Sequence, residues 1–161
     1  MNNINTVRKA SFSDPDSFRE IDYVPRELLD KAIDMIRSIK LNDNDFILTH
    51  GDFGYHNTLI TEDQLIKLVD WEFAELNHPL NDIACLFFWI HLHFKENAEE
   101  RCRHFINAYR ENLSVSNEEL LMPFCVYKVL SIMKRTLKLP DYVKKEWIRR
   151  LEWIVHERFA M

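Results

Sequence analysis

Asp52, Asn57 and Asp70 are the residues whose types and spacing suit chemistry, and they lie within Thr49 to Glu72, THGDFGYHNTLITEDQLIKLVDWE. The same stretch carries His50, His56, Glu72 and both glycines of the 161-residue chain, Gly51 and Gly54. Average usage of about 7% would supply about eleven glycines. A chain that avoids glycine elsewhere has kept it where the backbone must turn sharply. A short apolar run, Phe46 to Leu48, enters this loop, and Thr58 to Thr61 leaves it. Ile66 to Val69 returns after the polar turn Glu62-Asp63-Gln64. The pattern predicts a β-hairpin with Thr58 opposite Val69, Thr61 opposite Ile66, and Glu62 to Leu65 as the connection. One further step sets Asn57 opposite Asp70. Directly opposed residues have Cα atoms about 4.5 to 5.5 Å apart, so an amide oxygen and a carboxylate there can share one ion. Asp52, five residues before Asn57, can face the same spot. Hard oxygen ligands with room for water suit magnesium, which is commonly completed by substrate phosphates, and the chemistry implied is phosphoryl transfer.

The motif HGDFGYHN resembles the catalytic loop of the aminoglycoside phosphotransferase and choline kinase family, and LVDWE resembles its metal-binding segment. The spacing is also that of the eukaryotic-type kinase pattern, a catalytic-loop Asp and Asn followed by an Asp-led triplet. A third element, His78-Pro79-Leu80-Asn81-Asp82-Ile83-Ala84, resembles the family's Pro-x-x-Asp-hydrophobic-Ala segment, whose Asp is structural. Three elements in order are far more specific than one. The resemblance implies that Asp52 is the catalytic aspartate facing the substrate hydroxyl and that His50 supports the loop. It implies that Asn57 and Asp70 hold magnesium against the phosphates of ATP, with Glu72 in an auxiliary role near metal or substrate. The acceptor would be a small molecule with a hydroxyl, aminoglycoside-like or choline-like.

The fold implied is α+β and mostly helical, a kinase-like C-terminal lobe whose small β-hairpin follows the catalytic loop. Residues 25–161 would form this lobe, with 1–24 as a polar N-terminal extension. The nucleotide-gripping N-terminal lobe of such kinases has no counterpart here. No glycine precedes Gly51, so the chain has no glycine-rich loop before the site. The expectation is therefore a truncated phosphotransferase, one completed by a second chain that supplies the missing lobe, or a non-catalytic binding or scaffolding remnant. A separate reading assembles His50, Asp52, His56, Asp70 and His78 into a zinc or dinuclear site of a metal-dependent hydrolase. Asn57 argues against it, because Asn is a poor zinc ligand.

Composition fits one globular domain: 47% hydrophobic and 29% charged residues, with a net charge of −5 that argues against a nucleic-acid surface. No run of 18 or more uncharged apolar residues occurs and no basic-then-apolar leader opens the sequence, so no membrane span or export is expected. Cys85, Cys102 and Cys125 are odd in number and far apart, which suits a reducing cytoplasm better than a disulfide framework. The elements that must position the loop are helices. Leu28, Leu29, Ala32, Ile33, Ile36 and Ile39 fall at helical spacing behind Pro25. Pro79 opens a helix through Phe94 whose middle, Ile83 to Ile90, is apolar on nearly every side and so should be central. Asn97 with Glu100 begins a helix bearing Phe105, Ile106 and Tyr109. Ser116 and Glu119 form a capping box before Leu120 to Leu137, where Pro123 should bend or interrupt the helix. Pro140 starts a last helix, with Trp147, Leu151, Ile154 and Val155 inward and Lys144, Lys145, Arg149 and Arg150 solvated.

Overall fold

A computed structural model of the chain describes residues 8–10, 12, 14–112 and 118–156. In chain order it contains β1 (Arg8–Lys9), α1 (Arg26–Arg37), β2 (Ile47–Thr49), β3 (Thr58–Ile60), β4 (Ile66–Leu68), β5 (Glu75–Asn77), α2 (Leu80–His93), α3 (Ala98–Asn112), α4 (Leu121–Arg135) and α5 (Asp141–His156). Short 3-10 turns, Tyr55–Asn57 among them, join several of these elements. The mostly helical α+β architecture read from the sequence is the one found.

α2 runs through the centre. Ile83, Ala84, Cys85, Leu86, Phe87 and Phe88 are all buried, so every side of this stretch needs a neighbour. α4 packs along it, α1 and α5 pack on α4 and on each other, α3 lies against α2, and Phe88 and His91 of α2 also meet Trp147 and Trp153 of α5. The last helix turns Trp147, Leu151 and Ile154 inward as expected. Pro123 does not interrupt α4, which runs on unbroken from Leu121 to Arg135. It sits in the first helical turn, where the missing N–H would have had no partner within the helix. The capping box proposed for Ser116 and Glu119 falls, at Ser116, outside the described residues.

Two small sheets carry the loop. β5 lies between β1, to which it is parallel, and β2, to which it is antiparallel. The hairpin β3–β4 stands apart, and its register corrects the one read from the sequence: Thr58 pairs with Leu68, Leu59 with Lys67 and Ile60 with Ile66. The cause is Thr61, which belongs to the turn rather than the strand. Its N–H donates to the Leu65 carbonyl at 2.9 Å, its hydroxyl accepts from the Leu65 N–H at 3.1 Å, and a further hydroxyl bond reaches Asp63. Moving Thr61 into the turn shifts every pair by one, so Asn57 faces Val69, whose N–H donates to the Asn57 carbonyl at 3.0 Å.

The segment expected as a polar extension is part of the folded body where it is described. Phe18, Ile21 and Val24 belong to the core, β1 adds a strand to the sheet, and Phe12 packs edge-on against Phe124. Phe18, Ile21 and Val24 stand three apart across a 3-10 turn, Pro15–Glu20, and the turn after it, too short a run to read as a helix or strand.

Candidate active site

The loop between β2 and β3 is tied down from three directions. Asp82, in the first turn of α2, accepts from the backbone N–H of His50 at 2.7 Å and of Gly51 at 2.9 Å. Burial raises the Asp82 carboxyl above its usual 3.8, while these two backbone donors oppose that rise. His50 is buried, its Nε2 bonds the Val69 carbonyl at 2.8 Å, and its ring lies 4.7 Å from that of Trp71. The loop entry is thereby joined to the end of β4. Gly51 takes φ +77, and a Cβ there would stand 2.1 Å from the Phe73 carbonyl oxygen, so both conformation and space require glycine.

Asp52 then projects at the centre of four side chains. Its Oδ1 accepts from Lys128 Nζ at 3.1 Å, with Cys85 Sγ at 3.8 Å. Its Oδ2 lies 3.1 Å from His56 Nε2 and accepts from Asn57 Nδ2 at 3.3 Å. Burial pushes the Asp52 carboxyl up, but the Lys128 charge and the bonds from His56 and Lys128 outweigh it and hold the group below its usual 3.8. Asp52 is thus a carboxylate at neutral pH. The Cys85 thiol beside it is pushed up to about 12 by burial, so it stays protonated and can only donate.

Asn57 is buried, and its Nδ2 also donates to the Asp52 carbonyl at 2.9 Å. With the nitrogen facing Asp52, Oδ1 is turned the other way. Asp70 follows Val69 in a left-handed conformation, φ +62, which re-aims the chain as it leaves the hairpin. Its exposed carboxylate bonds to none of the described residues. The structure therefore brings Asp52 and Asn57 into contact and holds Asp70 one residue beyond the partner of Asn57. An amide oxygen and an open carboxylate are donors that a hard divalent cation takes, leaving the rest of its coordination to water and phosphate. Glu72 is exposed and lines a cavity of about 460 Å³ that also meets Gly51, Phe73, Lys128 and Arg135.

The imidazoles do not gather as the hydrolase reading requires. His78 is buried and stacked on Phe124, His50 is committed to Val69, and no group of three or more His, Cys, Asp or Glu among the described residues is placed to hold a metal.

Lys128 escaped the reading of the sequence. It lies 76 residues from Asp52 in an amphipathic helix, where a lone lysine is ordinarily solvated. The signal was its phase: Phe124 and Cys125, one turn earlier on the same face, are fully buried. A charge on that face needs a buried partner.

A model of the phosphotransferase enzyme family matches residues 8–114, about two thirds of the chain. The chain belongs to this family. Among known proteins, this family member is 32% identical over 99 residues to acyl-CoA dehydrogenase family member 11 of Homo sapiens. It is 37% identical over 60 residues to the same protein of Rattus norvegicus. The matches cover 56% and 34% of the chain but only 11% and 8% of those much longer relatives. Among solved structures, a thermostable mutant of aminoglycoside phosphotransferase APH(4)-Ia superposes with a TM-score of 0.62 at 18% identity, covering 89% of this phosphotransferase-family chain and 49% of its own. Amicoumacin kinase hAmiN, solved with AMP-PNP, Ca2+ and Ami, gives 0.62 at 14% identity, with 96% and 53% covered. Spectinomycin phosphotransferase APH(9)-Ia, solved with ADP and its antibiotic, gives 0.60 at 14% identity, with 92% and 56% covered. At such identities the likeness shows the fold, and the chain spans about half the length of each of these kinases. No described helix is long and apolar enough to cross a membrane.

Proposed function

We propose that this phosphotransferase-family chain forms the part of a small-molecule kinase that presents the acceptor hydroxyl and the metal to ATP. The observation that carries the reading is the setting of Asp52: an ionised carboxylate in contact with Asn57, with the open carboxylate of Asp70 just past the facing strand. Asp52 orients the acceptor hydroxyl and takes its proton as the new O–P bond forms and the bond from the γ-phosphorus to the ADP oxygen breaks. A carboxylate with a lowered pKa is a weak base, which suits a loose transition state in which orientation matters more than early proton removal. Asn57 and Asp70 hold magnesium, and Glu72 assists from the cavity edge. When bound, magnesium supplies charge neutralisation at the phosphates. His50 keeps the loop at a fixed distance from the Asp70 segment. Orientation of this kind is worth much, since a 1 Å misplacement can cost about a hundredfold in rate.

The nucleotide-gripping lobe comes from a further segment or a second chain. An apolar pair supports this: Ile60 and Ile66, directly opposed on one face of the hairpin, are 74% and 71% exposed. Contiguous apolar surface of this kind marks a place where another polypeptide sits. The three buried, unpaired cysteines agree with a cytoplasmic setting.

Titration calorimetry with ATP and magnesium on the wild type and Asp70→Ala tests the metal role. Weaker binding by the variant is expected, and equal binding removes Asp70 from the site. Asp52→Asn should abolish phosphotransfer to any hydroxyl acceptor with an unchanged fold by circular dichroism, whereas unchanged turnover excludes Asp52 as the base.

A further inference from the structure

The four groups around the Asp52 carboxylate are not equally fixed. An ionised carboxylate offers about four acceptor positions, and here neighbours stand at all of them. On Oδ1 stand Lys128, whose side chain is 6% exposed, and buried Cys85. On Oδ2 stand buried Asn57 and His56, whose side chain is 50% exposed. Lys128 is located independently of Asp52, because Nζ also donates to the Gly51 carbonyl at 2.5 Å. A buried ammonium with two anchors is a fixed post, and removing either partner leaves a polar group without compensation. His56 is the exposed member. Its ring lies over Gly54, where a Cβ would come within 2.8 Å of Cε1, and meets Trp89 edge-on at 5.9 Å. The cavity of about 460 Å³ touches this loop at Gly51 and is walled from Asp52 by Lys128.

We propose that Lys128 is a positioning residue: it pins Oδ1 from the cavity side, so that the acceptor hydroxyl meets Asp52 at Oδ2, in the place His56 occupies. α4 thus contributes directly to a loop 76 residues away. His56 swings from Oδ2 when the acceptor arrives, and the hydroxyl takes over its bond, so the number of bonds to the carboxylate is conserved. The proposal rests on the phosphotransferase reading for the identity of the incoming group. The Lys128 post and the direction of access are tested without turnover.

A carbodiimide joins a carboxylate to an amine in contact with it. In the full chain the exposed pairs Lys9–Asp43, Lys31–Glu27 and Lys134–Glu20 react as well, and the product sought is the isopeptide between Asp52 and Lys128, identified in the digest by mass. Lys128→Arg keeps the charge and should lose the product. His56→Ala should accelerate its formation several-fold by opening Oδ2 to the reagent. An unchanged rate in His56→Ala overturns the direction of access, and absence of the link in the wild type overturns the pairing. A role confined to anchoring the Gly51 carbonyl would leave the carboxylate's own environment alone, so Asp52 13Cγ is compared in wild type and Lys128→Met at pH 7. A shift is expected, and an unmoved signal reduces Lys128 to a loop anchor. Should Lys128→Met fail to fold, the 15Nζ resonance of Lys128 in Asp52→Asn gives the same answer from the other partner. Calorimetry with ATP and magnesium on these samples reports the phosphotransferase reading separately, so loss of one leaves the other standing.

Discussion

Gly51 and Asp82 set the point at which the loop leaves the core. Gly51→Ala places a side chain at φ +77 against the Phe73 carbonyl and should lower stability by at least about 2 kcal/mol, read from the urea midpoint. Asp82→Asn keeps one acceptor for two backbone donors and turns an amide nitrogen toward the other. A loss of about 1 to 3 kcal/mol is expected in the same assay, and an unchanged midpoint would mean that water replaces the missing bond. At this scale the sequence was legible where residue type and spacing carry the chemistry. Asp52 and Asn57 lie in one short motif, and their contact follows from the loop between them. Lys128 was not legible, because its partner is brought to it by the packing of α4 on α2, which no local spacing encodes. The place of His56 on Asp52 was equally hidden. A histidine four residues away reaches back only because Gly54 leaves room for its ring.

Among the elements, the helices followed from apolar period and from proline at their starts, and α2 from being apolar all round. The hairpin was legible in existence but not in register. A threonine at the end of a strand and one at the start of a turn look alike in sequence, and one residue of slip moves every side chain to the other face. Here the slip sets Asn57 opposite Val69, and Asp70 follows in a left-handed conformation, φ +62, with its side chain exposed. Asp70→Gly should therefore preserve the hairpin, seen as unchanged cross-strand amide contacts by NMR, while losing the carboxylate. α5 offers a test of a different kind. Glu146 accepts two bonds from Arg149, at 2.8 and 2.9 Å, and one from Arg150 at 2.9 Å. The Arg149 bonds, with Arg150 behind them, hold its carboxyl down to about 2 from the usual 4.5. A carboxyl lowered in the folded state stabilises above pH 4.5 and loses that contribution as pH falls through about 2. Glu146→Gln should be less stable than wild type at pH 7, and the gap should close between pH 4.5 and 2, as followed by thermal unfolding across that range. Because the trio is on the surface, the gap should also shrink in high salt.

For the whole molecule, the helical body closes its own core while the hairpin leaves apolar side chains exposed. Phe18, Ile21 and Val24 close the core from the N-terminal side, and the helices close it elsewhere. Ile60 and Ile66 stand out from β3 and β4. Ile60→Lys together with Ile66→Glu should change stability by less than about 0.5 kcal/mol, since neither residue supports the fold. The pair should abolish capture of a nucleotide-gripping lobe added as a second chain, measured by sedimentation. Undiminished capture would place that lobe elsewhere. The two carboxylate bonds from α2 to the loop carry one more consequence. The amides of His50 and Gly51 are donors to a helix that passes through the middle of the core, so they can exchange with deuterium only when the first turn of that helix opens. They should therefore be protected on the slow timescale of the interior, while the amides of Ile60 and Glu62 at the hairpin tip trade hydrogen within the dead time. A loop that has to wait for a core helix before it can loosen behaves as scaffold, and movement on substrate binding would fall to side chains such as the His56 ring.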